Sequence, residues 1–296
     1  MSAQKQCHGL NVGVFQNLVD NEAGDPAIVA KRAEELGFAH YWVPDHTIIP
    51  EGSADIYPGK QENEPPPEYL FKMPDPFIAL ARASAATSSI GLGTGVALVP
   101  ERNPINSAKE IASLDHYSGG RFLFGIGAGW NEPECTVLGG DFPHRWTQTT
   151  ECIEVMRKLW TGEYVAHEGK YYKFPSLICK PTPHKKSGPP VLLGSIGSPR
   201  VFKRVAKWGD GWLPFSTDPQ ELANGRTEIN KHAAAAGRDP ASIDVTLFAP
   251  DTMFRTKAEL KANADTGANG SVIWLQGGNS QELVAELEDL AGDLFA

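Results

Sequence analysis

An aspartate and a histidine, Asp45 and His46, stand together just after a short apolar segment, His40–Val43. Histidine titrates near neutral pH, so the pair fits an acid/base couple in which Asp45 supports His46. The same side chains also fit one arm of a metal site, which would need ligands from elsewhere. The chain has eight histidines but no His-x-His and no His-Glu-x-x-His pattern. A histidine bonded only to neighbouring backbone is the structural alternative, and we predict that His46 and Asp45 are catalytic.

Glycine is frequent where one apolar run ends, at Leu92-Gly93-Thr94-Gly95-Val96. Glycines weaken a strand because they remove side chains and add chain entropy, but a protein tolerates them where another group must approach the backbone. A tight strand that packs on a helix explains the same residues equally well. The residues alone leave both interpretations open.

Two further glycine-rich segments follow apolar runs. Gly125–Asn131 imitates a dinucleotide-binding loop, but its spacing is wrong and Pro133 interrupts it. Such a loop would bind a polar ring edge or a phosphate through free backbone N–H groups and the Asn131 amide. Gly194–Ser198 precedes Pro199, which predicts a helix capped by Ser198 with N–H groups free for an anion.

Short apolar runs alternate with amphipathic segments along the chain, as strands alternate with helices in α/β proteins. The runs predict eight strands, Leu10–Gln16, His40–Val43, Ile90–Leu98, Phe122–Ile126, Val191–Leu193, Gly211–Leu213, Ile243–Phe248 and Ser271–Leu275. A polar residue before a proline opens five of the helical segments, at Asp25-Pro26, Asp75-Pro76, Asn103-Pro104, Ser198-Pro199 and Asp218-Pro219. The pattern predicts a (β/α)8 TIM barrel in one domain spanning residues 1–296. An open doubly wound sheet is the alternative, and it normally needs fewer strands.

Two insertions interrupt the alternation, one after strand 2 and one before strand 5. Thr47–Pro74 is rich in proline, glutamate and glycine and carries the aromatic residues Tyr57, Tyr69 and Phe71. It follows strand 2 on the side where barrels place their active sites, which favours a lid over a solvated loop. Glu163–Phe174 predicts a short hairpin with its turn at Glu168-Gly169-Lys170.

Composition limits the partners. The chain carries 27 basic and 36 acidic residues, a net charge of −9 at pH 7, whereas a nucleic-acid surface usually needs a basic stripe. The cysteines, Cys7, Cys135, Cys152 and Cys179, form no Cys-x-x-Cys pair, as expected of reduced thiols. No apolar run approaches the roughly 18 residues of a membrane span, and the N-terminus lacks the apolar core of a signal peptide. We expect a cytoplasmic protein with no nucleic-acid or membrane partner.

Six motifs along the chain resemble, in order and spacing, those of the bacterial luciferase-like superfamily, and in particular its branch that uses the deazaflavin coenzyme F420. They are Trp42–His46, Gly93–Val96, Ser113–Arg121, Gly125–Asn131, Leu193–Pro199 and Trp208–Trp212. Each motif is weak alone, but together they are collinear over almost the whole chain. Members of this superfamily are TIM barrels that bind a flavin or deazaflavin at the C-terminal ends of the strands.

The resemblance implies roles for particular residues. It implies a non-prolyl cis peptide bond at Gly95–Val96 against the central ring of the cofactor, and His46 at the ring's reacting edge. The implied cofactor-binding residues are Thr94, Gly95 and Val96, then Gly127, Ala128, Gly129, Trp130 and Asn131, and finally Gly194, Ser195, Ile196, Gly197 and Ser198. Relatives that oxidise a sugar phosphate have a catalytic glutamate where this chain has Trp130, which argues against that substrate.

We therefore predict an oxidoreductase that transfers a hydride between coenzyme F420 and an unidentified small organic substrate. The resemblance also implies a homodimer. An FMN-dependent monooxygenase of the same superfamily is the first alternative. A metal-dependent barrel hydrolase built around Asp45 and His46 is less favoured, as is a cofactor-binding barrel without activity.

Overall fold

The computed structural model describes residues 4–17, 24–59, 64–248 and 252–296. Its strands are β1 (Gln6–Cys7), β2 (Leu10–Gln16), β3 (His40–Val43), β4 (Gly91–Thr94), β5 (Ala97–Leu98), β6 (Phe122–Gly127), β7 (Val165–Glu168), β8 (Lys173–Leu177), β9 (Val191–Gly194), β10 (Gly211–Leu213), β11 (Asp244–Phe248) and β12 (Gly270–Leu275). Its α-helices are α1 (Pro26–Leu36), α2 (Pro76–Ala86), α3 (Pro104–Ser118), α4 (Glu132–Val137), α5 (Arg145–Trp160), α6 (Pro199–Trp208), α7 (Pro219–Ala235), α8 (Lys257–Asp265) and α9 (Ser280–Phe295).

Eight parallel strands close into a barrel within these described ranges. The order around it is β2, β3, β4, β6, β9, β10, β11 and β12, and β12 pairs with β2 to complete the ring. A helix follows each strand and returns the chain to the other end of the barrel, as parallel pairing requires. The predicted TIM barrel is confirmed. The predicted strand Ile90–Leu98 is divided into β4 and β5, because Gly95 and Val96 leave the ladder between them.

Capping explains where five of the helices begin. Asp25, Asp75, Asn103, Ser198 and Asp218 each accept a backbone N–H of the helix they precede, and a proline occupies the first turn every time. A side-chain cap contributes about 1 kcal/mol, and proline at that position gives up an N–H that has no partner in any case. These five predicted helix starts are confirmed.

Aromatic and aliphatic side chains fill the interior of the barrel. Phe15, Trp42, Leu192, Leu213, Phe248 and Val272 form a separate buried cluster there. The Trp42 ring fits because its neighbours have no side chains: a Cβ on Gly13 would lie 3.0 Å from Trp42 Nε1, and one on Gly93 would overlap the ring. Alanine at Gly93 would therefore displace the largest side chain of the interior.

Both predicted insertions are present. β7 and β8 pair antiparallel as a hairpin between α5 and β9, which confirms the second insertion. The carboxylate of Glu151 on α5 fixes the hairpin turn, since it accepts backbone N–H groups from Lys170, Tyr171 and Tyr172. The first insertion follows β3 and contains two short 3-10 turns, Ser53–Ile56 and Glu68–Phe71. Among the described helices, none is long and apolar enough to cross a membrane.

Candidate active site

His46 lies just beyond the C-terminal end of β3 and is held from both sides. Its Nδ1 lies 2.7 Å from Glu134 Oε2, and the indole N–H of Trp130 donates to its Nε2 at 3.1 Å. An indole N–H is only a donor, so Nε2 must accept and Nδ1 must carry the ring proton. The geometry therefore selects a neutral imidazole whose proton points to Glu134 and whose lone pair points to Trp130.

Glu134 fixes the orientation of this imidazole. Its side chain is 0% exposed, and its second carboxylate oxygen accepts the backbone N–H groups of Thr47 and Ile48. These bonds compensate the burial of the carboxylate. Glu134 thus ties the start of the lid segment to α4 and holds the His46 ring at the same time.

Asp45 does not support His46 in the way that the sequence suggested. Its carboxylate accepts two N–H groups of Arg102, at 2.7 and 3.1 Å, and the backbone N–H of Leu98 at 2.9 Å. Asp45 is almost fully buried, and Arg102 also reaches Asp75. Burial works against the charge of Arg102, but the two aspartates outweigh it and raise the pKa of the guanidinium. The partner of His46 is Glu134, while Asp45 joins the end of β3 to β5.

Gly95 and Val96, which we call the wall, lie between β4 and β5 in a segment that the resemblance assigned to the cofactor. The peptide bond between them is cis, as expected. Both residues are partly exposed, whereas Thr94 and Ala97 on either side are buried. Thr94 is bound to the neighbouring strand, since its hydroxyl donates to the Gly125 carbonyl at 2.7 Å. The exposed part of this segment is therefore Gly95 and Val96.

The side chain of Val96 joins the three glycine-rich segments. A Cβ on Gly127 would lie 2.7 Å from one of its methyl carbons, and a Cβ on Gly194 would lie 2.6 Å from the other. Ordinary contacts are longer, so both glycines are needed for this close approach. The structure thus brings Gly95–Val96, Gly127 and Gly194 together.

Within Gly127–Asn131, the side chains have other partners than the sequence suggested. Asn131 is fully buried; its amide donates to Ser53 Oγ at 2.9 Å and accepts the Glu134 N–H as the cap of α4. Its side chain therefore does not face a ligand, because both polar atoms hold the fold. Ala128 is buried, and Gly129 has a φ of 81° that suits glycine. Trp130 is the member of this segment that touches His46.

Gly194–Ser198 forms the loop before α6. Ser198 caps that helix through the Val201 N–H. The hydroxyl of Ser195 is buried and has no hydrogen-bond partner among the described residues, although such groups are nearly always bonded. Ile196 is 75% exposed, and Gly197 lies close to the buried Trp212. An unpaired Ser195 hydroxyl beside exposed backbone fits a polar ligand.

Aromatic side chains of the first insertion reach the barrel mouth. Tyr57 packs edge-on against Trp130 with ring centroids 5.4 Å apart, and Tyr69 packs in the same way against Trp274 at 5.8 Å. The two tyrosine hydroxyls are 3.0 Å apart, and Trp274 continues to Phe15 in the interior. The segment thus has the position of a lid, although residues 60–63 lie outside the described residues.

Two residues of the site, Glu134 and Glu101, were not identified from the sequence. Glu134 stands within Glu132-Pro133-Glu134, which looks like acidic residues that complement a helix N-terminus. Glu101 stands in a 3-10 turn after β5, and its only sequence signal was an acid beside Pro100. No group of three or more metal-binding side chains is assembled within the described ranges, so the geometry there gives no support to a metal-dependent hydrolase.

Residues 18–292 match the profile of the luciferase-like monooxygenase family. An uncharacterized protein of Mycobacterium tuberculosis is 35% identical over 274 residues, covering 91% of this chain and 93% of the relative. The F420-dependent hydroxymycolic acid dehydrogenase of the same species is 31% identical over 217 residues, which cover 72% of this chain and only 55% of that enzyme.

Two solved structures share the fold. The monooxygenase RslO1 from Streptomyces bottropensis superposes with a TM-score of 0.76 at 19% identity, over 97% of this chain and 99% of that one. The coenzyme F420 dependent tetrahydromethanopterin reductase from Methanopyrus kandleri gives 0.73 at 19% identity, over 97% and 98%. At these identities the superpositions show the barrel, while the match over residues 18–292 shows more: this chain belongs to the luciferase-like monooxygenase family.

Proposed function

We propose that this protein is an oxidoreductase that transfers a hydride between coenzyme F420 and a small organic substrate, with the site at the barrel mouth. The observation that carries the proposal is the position of the Val96 side chain. Through it the partly exposed Gly95–Val96 wall meets Gly127 and Gly194, all from segments that the resemblance assigned to the cofactor. The relative named as an F420-dependent dehydrogenase favours F420 over FMN.

The residues present fit such a cofactor. Gly95 and Val96 are partly exposed and would lie against the ring, and Ser195 offers a hydroxyl that lacks a partner among the described residues. The N-terminus of α6, at Pro199, lies four residues beyond Ser195 and would favour an anionic tail. The deazaflavin would supply the hydride chemistry when bound, while the protein orients and shields it.

His46 would handle the proton that accompanies the hydride. When an alcohol is oxidised, its carbon loses a hydride and its hydroxyl loses a proton, and His46 Nε2 is an unprotonated acceptor in this structure. Glu134 at Nδ1 would stabilise the positive charge that forms on the ring. Trp130 must release Nε2 before a substrate reaches it. In the reverse direction His46 would return the proton.

The test is to bind each cofactor separately to the purified protein and follow quenching of cofactor fluorescence. We expect F420 to bind at least tenfold more tightly than FMN. Gly127→Ala should weaken F420 binding about tenfold, because its Cβ would push Val96 out of the wall. Gly292→Ala is the matched control, since a Cβ there meets nothing within 4 Å.

Three results would contradict the proposal. Tight binding of FMN without binding of F420 would instead favour the monooxygenase activity that gives the family its name. Equal F420 affinities for Gly127→Ala and the parent protein would mean that the wall is not part of the cofactor site. F420 binding without turnover on alcohols, aldehydes and imines would favour a barrel that binds the cofactor without catalysis.

A further inference from the structure

Glu101 is a buried acid without a visible partner. Its side chain is 5% exposed, and neither carboxyl oxygen has a hydrogen-bond partner among the described residues. Buried polar groups are nearly always bonded, and an ionised carboxylate in such surroundings is strongly unfavourable. Glu134 and Glu101 thus differ: Glu134 accepts bonds at both oxygens, and Glu101 accepts none from the described residues.

The Glu101 carboxyl fills the space under the turn that carries Trp130. A Cβ on Gly129 would lie 2.5 Å from Glu101 Oε1, so the carboxyl occupies room that exists only because residue 129 is glycine. The next residue, Trp130, donates to His46 Nε2. The Gly129 carbonyl accepts a bond from Arg145 on the other side. Glu101 therefore supports this turn by shape.

The charged groups around Glu101 have other partners or the same sign. Glu134 and Asp45 are acids, and Arg102 is committed to Asp45 and Asp75. Arg145 donates to the carbonyls of Gly129 and Phe142, and the Cys135 thiol shares the neighbourhood. Burial first, and then the charges of Glu134 and Asp45, raise the pKa of Glu101 to about 9. A proton on Glu101 is thus compatible with the surroundings at neutral pH, and a charge is not.

We propose that Glu101 is a positioning residue of this site, which supports the Gly129–Trp130 turn as an uncharged acid and so keeps the Trp130 indole on His46. The relevance of this role to catalysis rests on the proposed function. Ionisation of Glu101 would place a third charge beside Glu134 and Asp45 and loosen the turn. A buried acid that disfavours folding at neutral pH is the kind of residue that function retains.

The test uses the protein without cofactor. Its seven tryptophans are replaced by 5-fluorotryptophan, so that each gives a separate ¹⁹F signal. Trp130→Phe identifies the Trp130 signal. In the parent protein we expect that signal to move as pH rises through about 9. In Glu101→Gln, which has the same shape and no charge to gain, it should stay at its neutral-pH position. The Cys135 thiol titrates later, because burial and Glu101 raise its pKa to about 11.

Two further variants complete the design. Glu132→Gln changes an exposed acid on the same helix as Glu134, and its Trp130 signal should move as in the parent protein. Glu101→Ala should displace the signal already at pH 7, because it removes the support under Gly129. The melting temperature of Glu101→Gln at pH 8 should equal or exceed that of the parent protein.

The outcomes separate this inference from the proposed function. A parent signal that does not move up to pH 10, or a Glu101→Gln signal that moves like the parent, overturns the role of Glu101. If F420 also binds, its affinity should fall about tenfold from pH 8 to pH 10 in the parent protein and stay constant in Glu101→Gln. Failure of F420 to bind at any pH would refute the proposed function and leave the ¹⁹F result intact.

Discussion

The two ends of the barrel bury different kinds of unpaired polar group. At the C-terminal end, Asp45 is bonded to Arg102 and His46 to Glu134, while the Glu101 carboxyl and the Ser195 hydroxyl have no partner among the described residues. At the N-terminal end lies a cavity of about 710 Å³. Its lining includes His40 and Trp42, whose buried Nδ1 and Nε1 have no partner among the described residues. Among the described residues, the C-terminal end thus buries an unpaired acid, Glu101, and the N-terminal end an unpaired base, His40.

The ends also respond to pH with opposite sign. Burial lowers the pKa of His40 from 6.5 to about 4, and burial with neighbouring carboxylates raises that of Glu101 from 4.5 to about 9. His40 therefore takes up a proton more readily in the unfolded chain, and Glu101 loses one more readily there. The free energy of unfolding therefore falls through His40 as pH drops from 6.5 to about 4, and through Glu101 as pH rises from 4.5 to about 9.

The largest expected contrast is between two histidines: His40, the first residue of β3, and His46, just beyond the C-terminal end of that strand. His46→Ala should lower turnover about 100-fold or more, because acid/base catalysis is lost, while cofactor Kd changes by less than about threefold. His40→Gln, at the other end of the barrel, should leave turnover within about threefold of the parent value. Steady-state kinetics and cofactor titration measure both. Similar losses in the two variants would break the distinction between the ends.

The next contrast is between two arginine–aspartate pairs. Arg102→Ala should lower the free energy of unfolding by about 3–5 kcal/mol, since it leaves Asp45, 1% exposed, as an uncompensated buried charge. Arg157→Ala breaks a pair with Asp210 at the N-terminal cavity, where both side chains are about one-third exposed, and should cost about 0–1 kcal/mol. Urea unfolding at pH 7 measures both values. Equal effects would mean that burial does not separate the two pairs.

The pH dependence sharpens the comparison in acid. As pH falls from 6.5 toward 4, the parent protein should lose up to about 3 kcal/mol of stability through His40, because the unfolded chain binds the proton first. His40→Gln should remove this loss and leave the opposite dependence through Glu101, between pH 4.5 and about 9, unchanged. Melting temperatures from pH 4 to pH 8 test it. If stability falls equally in both proteins as pH drops from 6.5 to 4, the loss belongs to other titrating groups.

The elements of the barrel were predictable because their signals are local. Asp25-Pro26 and its counterparts carry the cap and the first helical residue within two positions, and apolar runs mark the strands. The bonding partners of the site residues were not predictable, because they come from distant parts of the chain. Glu134 lies 88 residues from His46, and Arg102 lies 57 from Asp45. Adjacency along the chain favoured Asp45 as the partner of His46, and the closed barrel gave His46 a carboxylate from another strand's exit.

The smallest expected effect belongs to Trp130→Phe. The variant keeps an aromatic ring near His46 and Tyr57 and removes the N–H that donates to His46 Nε2. One neutral hydrogen bond contributes about 0.5–1.5 kcal/mol, so stability should fall by no more than that. Because substrate must displace this N–H to reach Nε2, turnover should stay within about tenfold of the parent value while KM for substrate falls. A 100-fold loss of turnover would instead make the indole N–H part of the chemistry, as a donor to substrate and not as a cover over His46.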